Sequence, residues 1–468
     1  MKQFPSRRSA FFAGSLALLS CAGFIAGCSD PGTGSDTKTS QNSTDTTGTK
    51  RTSGATQARI DPGLTLPVLD ALFYEDDFKG ELKNKLQLTD QQITRLKTVS
   101  HESVEQLAED GTGDYQGSTR EAARRSEEQI RSIIGEDKAT QLFQLVNQRY
   151  SSGDVEGMMS TEPNAVPKDT RLVVNAPAYR MDLFQDGRLL KTYKIGIGYP
   201  EFPLPTGMRR AETIIFNPIW TPPDEPWVKG KFKPGQAVEA GSKDNPLGPI
   251  KIPIGLPNLI HGGKAPAKLG GFASHGCVGL TNDGVREFAL MLAQLSGSSL
   301  TQEEASGYGQ NRSQTKNYKL AKAIPVELRY ETIVAEDGAL HIFRDVYERG
   351  TNTMANLRGV LQAHGVTYDQ LAPAEKQAIV QALNEMNRDP RGNAIVEDIE
   401  VGAGTDSVAG GGNDPTKSDK AKQGKETKTI VGRREIAIPL AQLRGKGYPE
   451  PANPNNGMVA KTAATPTR

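Results

Sequence analysis

The sequence predicts a multi-domain α+β chain in which one β-rich, sandwich- or barrel-like domain is flanked by small α-helical segments. Hydrophobic periodicity is the first reason: it is helical from about 61 to 155, changes to a period of two from Thr170, and turns helical again beyond Thr353. Low-complexity stretches between the periodic parts are the second. Length is the third, since 468 residues exceed the roughly 100 to 200 of an ordinary domain.

Residues 1–27 read as an export signal. Lys2, Arg7 and Arg8 precede an apolar run from Ala10 to Ala26, punctuated by Gly14, Ser15, Ser20 and Gly23 and short of the roughly 20 residues that span a bilayer comfortably. The run ends in Ile25-Ala26-Gly27-Cys28, which resembles a bacterial lipobox. That resemblance implies lipidation of Cys28 and a membrane anchor on the periplasmic side, with Ser29 favouring the outer membrane in a two-membrane envelope. Residues 28–60 are rich in Ser, Thr, Gly and Asp with little to bury, and so form a flexible tether.

A small helical bundle is expected over 61–155. Thr89-Asp90-Gln91-Gln92 has the pattern of a capping box, followed by Ile93 and Leu96 at helical spacing; His101 lies in a polar stretch and reads as solvated. Leu88 to Gln92 also resembles the LTxxQ motif of small helical periplasmic proteins, although a capping box alone would produce the same pattern. Ile130, Ile133 and Ile134, then Ala139, Leu142 and Val146, mark two further helices.

The β-rich domain is expected over 169–350. Met181 and Leu183 alternate with Arg180 and Asp182, and Asp186-Gly187 between two such runs signals a hairpin. Further strands are expected at 212–216, 323–330 and 338–344. One helix after residue 281 would present Val285, Phe288, Ala289 and Leu292 on one face, capped by Asn282 or Asp283. Residues 351–400 read as a helical extension, 401–428 as a low-complexity linker, and 429–468 as a C-terminal tail with one short strand or helix near Ile436 to Leu443.

Lys plus Arg number 56 against 55 Asp plus Glu, and aromatics are only 6% of the chain. Neither charge nor stacking surface therefore points to nucleic acid. Of three cysteines, Cys21 lies in the leader and Cys28 is the expected lipid attachment, leaving Cys277 without an intramolecular disulfide partner. Such a thiol is either a buried, inert group or a nucleophile. His261 and His275 share its glycine-rich window, HGGKAPAKLGGFASHGCVGL over 261–280, and supply candidate bases. Two histidines and one cysteine fall short of a zinc set, so no metal and no cofactor is expected.

The window and its surroundings carry a family resemblance. Ile260-His261-Gly262 followed by Ser274-His275-Gly276-Cys277 is similar to the motif of the L,D-transpeptidase family, the YkuD-type catalytic domain. Val173 to Arg180, Tyr193 to Gly198, Pro203 to Gly207 and Asn217 to Pro223 resemble its other landmarks, and together they cover about Thr170 to Gly350. The resemblance implies a β-sandwich-like catalytic domain with one or two helices. It implies Cys277 as nucleophile, His261 as proton donor and acceptor, the Gly262 carbonyl orienting His261, and His275 shaping the site. Backbone N–H groups at Gly276 and Cys277 would face the oxyanion, and Ser274, Gly279 and Trp220 would meet substrate; Trp220 and Trp227 are equally consistent with ordinary loop packing.

Two residues after the cysteine the family usually has Arg or Asn. Gly279 departs from that, which puts the usual substrate contacts there in doubt. The implied partners are peptidoglycan stem peptides, and the implied reaction is transfer of a tetrapeptide acyl group to an amine with release of D-alanine. Carboxypeptidase action, attachment of a protein to peptidoglycan by the same acyl-enzyme, and a non-catalytic lipid-anchored wall-binding module are the alternatives.

Overall fold

The computed structural model describes residues 64–73, 77–105, 119–151, 160–221, 237–255, 257–395 and 429–454. The leader, Cys28, the tether, Trp227 and the 401–428 linker lie outside the described residues.

Five helices come first: α1 (Leu66–Leu72), α2 (Phe78–Leu86), α3 (Asp90–Glu105), α4 (Thr119–Ile134) and α5 (Glu136–Ser151). They close over a common core that includes Leu69, Phe78, Leu96, Ile130 and Leu142. The capping box forms at the start of α3: Thr89 Oγ1 accepts from the Gln92 N–H at 3.2 Å, and Gln92 Oε1 accepts from the Thr89 N–H at 3.0 Å. His101 is not simply solvated. It is half-buried, with Nδ1 3.5 Å from the buried carboxylate of Asp70 on α1, a neighbour that helical spacing within one element does not reveal.

The strands of the next region are β1 (Arg171–Asn175), β2 (Arg180–Gln185), β3 (Arg188–Lys194), β4 (Ile197–Gly198), β5 (Gly207–Phe216), β6 (Ile250–Pro253), β7 (Leu259–His261), β8 (Phe272–Ser274) and β9 (Val278–Gly279). Helices α6 (Asn282–Leu295) and α7 (Gln302–Gln310) and the long strand β10 (Lys316–Arg329) follow. Eight strands form one sheet in the order β3-β2-β1-β10-β5-β6-β7-β9, while β4 and β8 pair separately. Asp186 and Gly187, both at positive φ (48° and 82°), make the β2–β3 turn.

Alternation along the strands gives this sheet two faces. Leu172, Val174, Met181, Leu183, Val326 and Leu328 point to the main core beneath α6. The intervening Val173 and Phe184 join Val334, Phe343 and Tyr448 on the other side. Helix α6 lays Val285, Phe288, Ala289 and Leu292 on the main core. Its N-cap is Thr281, whose Oγ1 accepts from the Gly284 N–H at 3.0 Å, and not Asn282 or Asp283. Asn282 instead accepts the Gly263 N–H at 2.8 Å and so ties the helix start to the loop after β7.

Strands β11 (Ile333–Glu336) and β12 (Ala339–Phe343) do not join the large sheet. They pair with β13 (Glu435–Pro439) in a three-stranded sheet covered by α8 (Met354–Ala363) and α9 (Pro373–Met386), around a core of Ile342, Leu357, Leu361, Ile379, Leu383 and Leu440. The 338–344 strand, the 351–395 helices and the start of the tail thus belong to one α+β unit. Pairing across nearly a hundred residues left no local mark in the sequence.

This unit covers the polar side of β1, β2 and β10. Arg180, Asp182, Glu327 and Arg329, which alternation alone would leave to solvent, are buried there. Arg180 pairs with Asp182 and Glu336, both at 2.7 Å, and Tyr448 donates to Asp182 at 3.0 Å. Every buried charge in this cluster has an opposite partner or hydrogen bond, as burial of ions requires.

Candidate active site

The site is built on the β7–β9 side of the large sheet. Ile260 pairs with Val278 and His261 with Gly279 in parallel register, and Lys251 of β6 lies across from His261. Ile252, Ile260 and Val278 face the main core. Period-two alternation therefore puts Lys251, His261 and Gly279 together on the opposite face. Cys277, two residues before Gly279 and just ahead of β9, is brought to the same place; the fifteen residues between it and His261 belong to the connection between two adjacent strands.

His261 is 3% exposed, and its Nδ1 is 2.8 Å from the Gly262 carbonyl. A carbonyl only accepts, so Nδ1 carries the proton and the neutral ring presents its lone pair at Nε2. Burial pushes the imidazole pKa down to about 3, with the nearby Lys264 charge adding to the effect and the Gly262 and Leu247 carbonyls opposing it. At neutral pH the ring is an uncharged base.

Cys277 is half-buried. Its Sγ lies 4.0 Å from the Pro257 carbonyl in the β6–β7 turn, and the Leu259 backbone also hydrogen-bonds it. Burial pushes the thiol above its ordinary value, against the lowering effects of that Leu259 hydrogen bond and of the Lys264 and Lys251 charges. At rest the two groups are a neutral thiol and a neutral imidazole.

Ser274 locks the loop that carries the cysteine. Its hydroxyl donates to the Cys277 carbonyl at 2.5 Å and accepts the Cys277 N–H at 3.0 Å. Ser274 is 4% exposed and acts here as a brace. The Cys277 N–H is thereby engaged inside the loop and not held ready for an oxyanion. Gly276 turns the chain at φ 90°, a conformation that favours glycine, and its carbonyl accepts from the buried Asn258 amide at 2.6 Å.

The His275 ring sits between Tyr199 and Phe202, with ring centroids 5.1 and 4.8 Å away and edge-on geometry. The clamp loop is in turn held from outside the sheet. Thr119 at the start of α4 donates its hydroxyl to the Pro200 carbonyl at 2.8 Å, Thr65 donates to the Glu201 carbonyl at 3.0 Å, and Tyr347 donates to the Gly198 carbonyl at 2.9 Å.

Trp220 forms a backbone bridge with Val238 and is half-buried, which places it at the base of a loop. Gly279 is clamped by two backbone hydrogen bonds to Gly196, each 2.9 Å. The space above its Cα is filled: a Cβ there would lie 2.8 Å from Lys264 Cγ and 3.1 Å from its Cε. Sequence reasoning missed Lys251, Lys264, Asn258 and the Tyr199–Phe202 clamp. A lysine between Ile250 and Ile252 was the visible signal for Lys251; for the others only the fold brings the residues together.

A thiol and a buried, carbonyl-oriented neutral histidine carried on one face by adjacent strands can serve as a nucleophile and its base. Residues 169–298 match the family model of the YkuD domain, the L,D-transpeptidase catalytic domain; this stretch holds His261, Cys277 and every strand that positions them. Over that stretch the chain is similar to L,D-transpeptidase catalytic domains.

Solved structures similar to the chain include the catalytic domain of the Enterococcus faecium L,D-transpeptidase, at 16% identity and a TM-score of 0.23, covering 35% of this chain and 100% of that one. An L,D-transpeptidase from Mycobacterium tuberculosis H37Rv is similar at 15% identity and a TM-score of 0.20, covering 35% and 58%. One from Mycobacterium smegmatis is similar at 15% and 0.21, covering 35% and 59%. The chain thus spans the whole of the first and less than two thirds of the two mycobacterial proteins. No curated protein matches it significantly.

Proposed function

We propose that the protein is a peptidoglycan L,D-transpeptidase that works through a thioester at Cys277. The parallel pairing of β7 with β9, which sets His261 beside the strand that Cys277 leads into, is the observation that carries this reading. Cys277 Sγ attacks the carbonyl carbon of the third residue of a tetrapeptide stem while His261 Nε2 takes the thiol proton. The tetrahedral intermediate collapses, the bond to the terminal D-alanine nitrogen breaks, and His261 returns the proton to that amine.

The acyl group is then held as a thioester. An amine from a neighbouring stem attacks it, His261 accepts the amine's proton, the C–S bond breaks, and the proton returns to sulfur. A new amide cross-link results, and the thiol is restored. Because Nδ1 is fixed by the Gly262 carbonyl, the same Nε2 serves both half-reactions. The Ser274 brace and the Gly276 turn keep the sulfur in one position between them.

The export signal and the lipobox-like end at Cys28 support a location on the periplasmic side of the envelope, tethered to a membrane, where this substrate is found. Release of D-alanine from a tetrapeptide donor tests the proposal: the wild-type protein is expected to release it, and Cys277→Ser to release none.

A further inference from the structure

Resting on that reading of Cys277, a second element of the site emerges from Gly279. Lys264 follows the His261-Gly262-Gly263 turn, and its N–H donates to the Leu280 carbonyl at 3.1 Å. This pins the base of Lys264 beside the end of β9. From there the stem runs over Gly279, where its Cγ, Cε and Cδ occupy the volume within 2.8, 3.1 and 3.4 Å of a would-be Cβ. Only glycine at 279 leaves this path open. Gly279 lies two residues beyond Cys277, on the same face as His261 and Lys251.

We infer that Lys264, laid through the gap at Gly279, is the positioning cation of the Cys277 sulfur, which holds the negative charge the sulfur acquires as it loses its proton. The absence of a side chain at 279 is then a requirement of the site and not a loss from it. The charges that act on the sulfur are Lys264 and, on β6, Lys251; His261 on β7 shares their face, and His275 in the cysteine's own loop packs between Tyr199 and Phe202.

Electrostatics agree with the geometry. Lys264 acts on Cys277 more strongly than Lys251 does, lowering the thiol against its burial, and Cys277 in turn favours the charged form of Lys264, whose own ionisation burial opposes. A neighbouring lysine is a recognised means of stabilising a thiolate.

The test is the pH profile of Cys277 alkylation by iodoacetamide in the full-length protein, with labelling of the Cys277 peptide read by mass spectrometry. Lys264→Met keeps most of the stem and removes the charge; it is expected to raise the midpoint by about one pH unit, roughly a tenfold lower rate at neutral pH. Lys264→Arg is expected to keep the wild-type midpoint. Gly279→Ala, which pushes the stem aside, is expected to raise it as well and gives a second, independent perturbation. Lys251→Met is expected to move it less than Lys264→Met.

Equal midpoints in the wild type and Lys264→Met, or an equal rise in Lys264→Met and Lys264→Arg, overturn the inference. Alkylation needs no stem peptide, so its result is separate from the transpeptidase reading: a wild type that shows the profile and releases no D-alanine overturns that reading alone.

Discussion

At Cys277 and His261 the chemistry is set by burial working against fixed partners. Burial disfavours charge on both groups, raising the thiol and pushing the imidazole down to about 3, so neither an ion pair nor a free thiolate dominates at rest. The sign of the pH dependence follows. His261 stays in its base form until the pH falls toward 3, and the thiolate fraction grows as pH rises through and beyond the ordinary cysteine range. The acylation rate is expected to hold level from pH 6 to about 8, with no loss near 6.5, the value of an unperturbed histidine, and to rise above that as the thiolate fraction grows.

His261→Asn removes the base and is expected to slow acylation by about 10²- to 10⁴-fold at pH 7. The deficit should narrow at high pH, where the sulfur ionises without help. Stopped-flow acylation by a carbapenem across this range checks both statements, and an acid limb at 6.5 in the wild type would show that His261 is not the buried neutral base described. Cys277, His261, His275 and Gly262 were all legible in the sequence because a short motif holds them. Lys264 was not, since nothing in a linear reading shows its stem lying over Gly279.

At the scale of elements, the helix that follows the cysteine links stability to the site. Thr281 caps α6, and Thr281→Ala is expected to cost about 1 kcal/mol in a denaturant melt with the loop after β7 intact. Asn282→Ala removes the acceptor of the Gly263 N–H; it is expected to lower activity through the loop that follows His261, beyond any change in stability. If Asn282→Ala proves the more damaging to helix stability and Thr281→Ala is silent, the cap assignment is wrong.

The sequence reading placed the cap one or two residues late, because Thr, Asn and Asp in a row are all competent caps and only backbone geometry chooses among them. The hairpin at Asp186-Gly187 and the capping box at Thr89 were readable from local chemistry alone. Strands β6 to β9 were not, being two to four residues long and too short for a period to show.

At the scale of the molecule, three groups of elements meet around one site: the α1–α5 bundle, the large sheet with α6, and the three-stranded sheet with α8 and α9. The first touches the Tyr199–Phe202 loop through Thr65 and Thr119, and the segment after β12 reaches Gly198 through Tyr347. Alternation in β2 was legible in the sequence, but the charged face of β1, β2 and β10 is buried by a unit whose third strand lies almost a hundred residues downstream. Deleting 429–468 removes β13 and uncovers the core that Ile438, Leu440 and Leu443 complete. The truncated chain is expected to melt at a lower temperature than the intact protein; an unchanged melt would show that β13 contributes nothing to stability.

The central claim is that Cys277 forms an acyl-enzyme with a stem tetrapeptide, and the intact-protein mass after mixing with that donor tests it most directly. The account predicts a mass gain equal to the donor less D-alanine, located at Cys277 and absent in Cys277→Ser. No gain in the folded wild type, or the same gain in Cys277→Ser, would contradict it.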